Sequence, residues 1–145
     1  MNVEQSVERL NELLKGEFAA IGSYRQTIER VPDTELKTQL EEIHVAHEAR
    51  ANHLRARVQE LGGEPFEGET CWQKITPMTA VAESYIGEKI ALLALGEKEN
   101  AGVQKYQEVL NDLDEDSREL ILNELLPAQE QTLSTLEGIR KGFLS

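Results

Sequence analysis

Two glutamates in this chain occupy positions where helical periodicity asks for apolar side chains. Stepping through Leu10, Leu14, Glu17, Ile21, Tyr24 and Ile28 puts Glu17 within about 20° of the centre of an otherwise apolar stripe. Glu99 holds the same place on a stripe of Leu92, Val103, Tyr106 and Leu110. A carboxylate facing a core is costly unless it is paired, bound or protonated. His47 and Thr132 fall at mid-length on the inward stripes of two further segments, with His44 and Gln129 one turn away. Two carboxylates and an imidazole at one level of a bundle are raw material for an oxygen- and nitrogen-ligated metal site. The candidate ligands are Glu17, His44, His47 and Glu99, and the metals suited to them are iron, zinc or manganese. The same residues also make a buried polar layer with no metal. His47 is then protonated between the glutamates, or one carboxyl is protonated, and Tyr24, Tyr106, Thr132 and Gln129 complete the hydrogen bonds.

The elements that must position these residues are four long helices. The first is expected over about Val3 to Arg30, closed by Val31-Pro32-Asp33-Thr34, where Asp33 or Thr34 is available as N-cap. The second runs from about Glu35 to Leu61, with Leu36, Leu40, Ile43, His47, Leu54, Val58 and Leu61 on one face. Gly62-Gly63 ends it in the left-handed conformation that glycine accepts. The third starts at Thr76-Pro77 and reaches about Asn111. The fourth follows the acidic turn 112–116, where Asp116 and Glu119 resemble a capping box. Its inward face carries Ile121, Leu125, Ala128, Thr132, Leu136, Ile139 and Phe143, and Pro127 is expected to kink it.

The first and last breaks are short and make antiparallel hairpins. The middle break, Gly63 to about Ile75, is far longer than a hairpin needs. Thirteen extended residues span roughly 43 Å, close to the length of a 28-residue helix. The expectation is an all-α four-helix bundle, a single domain over 1–145, whose two hairpins are joined by one long crossover. A repeat points the same way. Glu17 and Tyr24 are echoed at the same spacing by Glu99 and Tyr106, as if the hairpins were diverged copies.

Composition narrows the function classes. Aromatic residues make up 5% of the chain and the net charge is -12, which disfavours nucleic acid and anionic membrane surfaces as partners. The lone cysteine, Cys71, rules out an intrachain disulfide, and no apolar run is long enough to cross a bilayer, so a cytoplasmic location is expected. Arg50 borders the core stripe of the second helix and is expected to snorkel to the surface, the alternative being that it reaches over to a carboxylate. His53 points outward. Asp112-x-Asp114-x-Asp116 resembles the opening of a calcium loop but lacks its later glycine and glutamate, so capping is the better account. Trp72, beside Cys71, is expected to dock on the bundle or on a second subunit.

The run from Leu10 to Tyr24, centred on Gly16-Glu17-Phe18-Ala19-Ala20, resembles the first helix of bacterioferritins and rubrerythrins. The close of the second helix, Leu61-Gly62-Gly63-Glu64-Pro65, does so too. The resemblance covers the first two helices well, the third fairly and the fourth thinly. Ferritin-like proteins place a ligand glutamate on the first and third helices and a Glu-x-x-His on the second and fourth. By that resemblance Glu17 and Glu99 match the single glutamates and His47 matches the second-helix histidine. His44 stands where a bridging glutamate is expected, and Gln129-x-x-Thr132 carries neither ligand. The chain as a whole resembles bacterial ferritin-like proteins with an eroded di-iron centre. That implies a small structural or stress-associated protein, a homodimer or higher homo-oligomer, with an incomplete site that retains weak mononuclear binding. The alternative is a metal-dependent oxidase, peroxidase or iron-binding protein with a reduced ligand set. A partner-binding helical module without ferritin ancestry leaves the Glu–Tyr repeat unexplained.

Overall fold

Each helix begins and ends where its local chemistry dictates. A computed structural model describes residues 2–68 and 85–144. Helix α1 (Val3–Arg30) starts at Asn2, whose side-chain oxygen accepts from the backbone amides of Glu4 and Gln5 at 2.9 and 3.3 Å. Pro32 stops its continuation, and Asp33 caps α2 (Thr34–Glu60) by accepting from the Leu36 amide at 2.9 Å. Gly62 then takes a φ of +81° and closes α2. Its neighbour Gly63 lies so close to Val7 that a Cβ there would come within 2.7 Å of that side chain. Residues 63–68 start back along α1: Asn11 donates to the Glu64 carbonyl at 3.0 Å, and accepts from the Phe66 amide at 2.7 Å.

Helix α3 is described over Tyr85–Glu108 and is followed by a 3-10 turn, Leu110–Asp112. Helix α4 (Glu115–Leu120), a π-helical turn (Ile121–Leu125) and α5 (Leu126–Leu144) make one continuous fourth rod. Pro127 cannot donate to an α-helical ladder, and its ring crowds the carbonyl four residues back. The helix widens just before it, with the Leu126 amide bonding the Ile121 carbonyl five residues back. The start of the fourth rod also differs from expectation. Its N-cap is Asp114, which accepts from the Ser117 amide at 3.2 Å, not Asp116. Arg57 explains the choice: its Nη2 sits 2.9 Å from Asp114 Oδ2 and its Nε 2.8 Å from Ser117 Oγ.

The architecture is an all-α four-helix bundle. Lys98 meets Ser23 and Lys105 meets Glu12, so α3 runs antiparallel to α1. Arg50 meets Thr132 and Arg57 meets Ser117, so the fourth rod runs antiparallel to α2. Helix α2 therefore ends, and α3 begins, at opposite ends of the bundle, the arrangement that one long crossover requires. The expected helix start at Thr76-Pro77 and the docking of Trp72 beside Cys71 fall outside the described residues, as does the Phe143 side chain. No helix among the described residues is long and apolar enough to cross a membrane.

The core divides in two. One apolar cluster gathers Leu10, Leu14, Leu54, Val58, Val109 and Leu113. The other gathers Val31, Leu36, Leu40, Leu92, Leu95 and Leu136 toward the opposite end. The polar residues singled out above lie between them.

The Asp114 cap gives a direct test. Asp114→Ala should cost about 1–2 kcal/mol in chemical denaturation, from the lost cap and the stranded Arg57. Asp116→Ala should stay within roughly 0.5 kcal/mol of the wild type. Equal losses from the two variants would refute the assignment.

Candidate functional site, a buried ion-pair layer

All four rods contribute to the layer. Glu17 comes from α1, His47 and Arg50 from α2, Glu99 and Tyr106 from α3, and Gln129 and Thr132 from α5. All seven are buried. His47 bridges the two glutamates. Its Nδ1 is 2.5 Å from Glu17 Oε1, and its Nε2 is 2.9 and 3.0 Å from the two Glu99 oxygens. Arg50 Nε donates to Glu17 Oε2 at 2.8 Å and Nη1 donates to Thr132 Oγ1 at 2.9 Å. The Tyr106 hydroxyl donates to Glu17 Oε2 at 2.5 Å. Thr132 passes its own proton to the Ala128 carbonyl at 3.0 Å, and Gln129 donates to the Glu99 backbone carbonyl at 3.0 Å. The Tyr24 ring packs on the His47 imidazole with centroids 5.2 Å apart.

The protonation states follow from these contacts. Burial by itself pulls the His47 pKa down. The hydrogen bonds to Glu17 and Glu99 and their charges outweigh it, so the net shift is upward from 6.5. Burial by itself pushes Glu17 up, but its His47, Arg50 and Tyr106 contacts outweigh that and lower it below 4.5. Burial first, and the Glu17 charge second, raise the Tyr106 phenol. Burial and then Glu99 do the same for Tyr24, whose hydroxyl has no hydrogen-bond partner of good geometry. With His47 an imidazolium, both ring nitrogens donate, and two cations answer two carboxylates.

Arg50 corrects the sequence expectation. It does not snorkel; it is 2% exposed and leads the largest fully buried side chains of the protein. The available signal was its place three residues after His47, one helical turn along the same face. His44 stands apart from the layer. Its Nδ1 pairs with Glu48 at 3.2 Å, its Nε2 is buried without a hydrogen bond, and burial lowers its pKa. His53 is exposed, as its outward position implied.

The chemistry open to the layer is restricted. His47, with both ring nitrogens donating, has no lone pair to offer, and Glu17 already accepts three hydrogen bonds on its four lone-pair sites. Glu99 has spare acceptor capacity, since one ring nitrogen serves both its oxygens. Among the described residues no group of three or more His, Cys, Asp or Glu is placed to hold a metal ion. The donor set, with a guanidinium inside it, does not fit the di-metal centre that ferritin-like enzymes build.

Residues 5–112 match the family described as Domain of unknown function (DUF2383). The chain belongs to that family. No curated protein and no solved structure matches it. The DUF2383 match takes in Glu17, His47, Arg50, Glu99 and Tyr106, every ionisable member of the layer. Gln129 and Thr132, the neutral members on α5, lie beyond it.

Two outcomes test the layer. Arg50→Met leaves a buried carboxylate short of its partner and should destabilise the fold by roughly 3–5 kcal/mol in urea. The second is a pH response. Glu17 is lowered, so its contribution is present above 4.5 and is lost as pH falls through its folded value. His47 is raised, so its contribution is complete below 6.5 and is lost as pH rises through its folded value. Nitrogen-15 spectra of the imidazoles should show His47 still doubly protonated above pH 6.5, while His44 loses its proton below that pH. A neutral His47 at pH 6 would sink the ion-pair description.

Proposed function

We propose that the chain is a single-domain ferritin-like bundle that serves a structural, stress-associated role rather than metal-dependent oxidation. In this reading Arg50 and protonated His47 supply, inside the core, the positive charge that metal ions supply in ferritin-like enzymes. One observation carries it: the Arg50 guanidinium lies within the layer, bonded to Glu17 and Thr132. The Glu–Tyr repeat supports the reading of two diverged hairpin copies, and Tyr106 of the second donates to Glu17 of the first. The protein acts in the cytoplasm as a homodimer or larger homo-oligomer, and its charge of -12 turns away nucleic acid and anionic membranes.

A second reading keeps a mononuclear iron, zinc or manganese site on Glu17, His44, His47 and Glu99, with oxidase or peroxidase activity. It is favoured by the spare acceptor capacity of Glu99. Elemental analysis of protein purified without a His-tag, followed by titration with zinc and ferrous iron, separates the two. The structural reading expects no stoichiometric metal and no change in melting temperature. A metal near one equivalent, lost in Glu99→Gln, overturns it in favour of the second.

A further inference from the structure

The ion-pair layer forms the base of a cleft of about 360 Å³ between α1 and α3. The size and the mainly apolar walls suit a small organic ligand. The space exists because the walls are built of small residues, Gly16, Ala19 and Ala20 on α1 and Ala101 on α3, while Gly102 gives its room to the Gln129 side chain. Gly16 shows how open it is, since a Cβ there would meet nothing within 4 Å.

Two lysines of α3 line this cleft, and they are not equivalent. Lys105 Nζ lies 3.3 Å from Glu12 Oε1 and is neutralised. Lys98 Nζ donates to Ser23 Oγ at 3.0 Å, and no ion pair joins it to a carboxylate among the described residues. Loss of solvation at the cleft lowers its pKa from 10.5. The charges at the base cancel, so an anion entering here meets one unanswered cation and no net negative charge beneath it. From Ser23 back to Glu12 the cleft runs along eleven residues of α1, roughly 16 Å. That length suits a medium-length extended chain.

We propose that this cleft binds a medium-length, unbranched aliphatic monocarboxylate. The carboxylate sits on Lys98 and the Ser23 hydroxyl, and the tail runs past Ala20 and Gly16 toward Leu13. The proposal rests on the cleft, on Lys98 and on the absence of net negative charge beneath them, not on the structural role proposed above.

Calorimetric titration of the full chain with decanoate at low ionic strength tests it. Saturable one-to-one binding is expected for the wild type. Lys98→Met, which keeps an apolar stem and removes the charge, should weaken binding about tenfold, the worth of a charge-assisted hydrogen bond. Lys105→Met should change it by no more than about twofold, because that cation already has a partner. Gly16→Leu fills the cleft without a backbone clash and should abolish binding while the circular dichroism spectrum stays helical. No decanoate binding to the wild type overturns the proposal. So does a Lys98→Met variant that binds like the wild type, or a folded Gly16→Leu variant that still binds.

Discussion

Charges placed in the middle of a hydrophobic core must be answered within that core, and this requirement organises the bundle. Glu17, His47, Arg50 and Glu99 are almost wholly withdrawn from water, so each needs a partner from another helix or from one turn away. Buried ion pairs add little net stability once desolvation is counted. Their effect here is on alignment. A helix sliding by one residue in an apolar bundle loses some packing, whereas one sliding here strands a charge. The layer joins all four rods at one level, and the apolar clusters on either side pack in a register that the layer has set.

Much of this was legible in the chain itself. Glu17 and Glu99 stood out because the stripes around them are cleanly apolar, and His47 because it falls at the centre of its own stripe. Asp33 and Gly62 marked the ends of α2 in the way their backbone chemistry dictates. Arg50 was not legible, for a physical reason. A long cationic side chain at the border of a stripe can turn inward or outward, and the choice depends on a carboxylate 33 residues away in sequence. The cap of α4 was hidden in the same way. Asp114 and Asp116 are equivalent in local sequence, and Arg57 on another helix selects between them.

The fourth rod completes the layer with neutral groups at the positions that face it. In this bundle the same positions are occupied by groups that suit an arginine: Thr132 accepts from the guanidinium, and Gln129 holds the α3 backbone at Glu99. The two carboxylates that would repel each other across an empty site are bridged by one imidazolium. Without a fixed cation the two carboxylates would stand as buried negative charges, so the arginine, the imidazolium and the two glutamates form one coherent arrangement.

The widened turn before Pro127 has a consequence for which side chains the fourth rod can offer at all. A π-helical turn takes up one more residue than an α-helical turn, so everything beyond it is rotated by about 100° relative to an uninterrupted helix. Gln129, eight residues beyond Ile121, faces the layer because that surplus residue is absorbed between Ile121 and Leu125. Wound as an ordinary helix, the same residues would swing Gln129 away from the core, whereas a chain one residue shorter there would lose the widened turn and keep Gln129 facing inward. The neutral half of the layer is thus decided by counting as much as by chemistry.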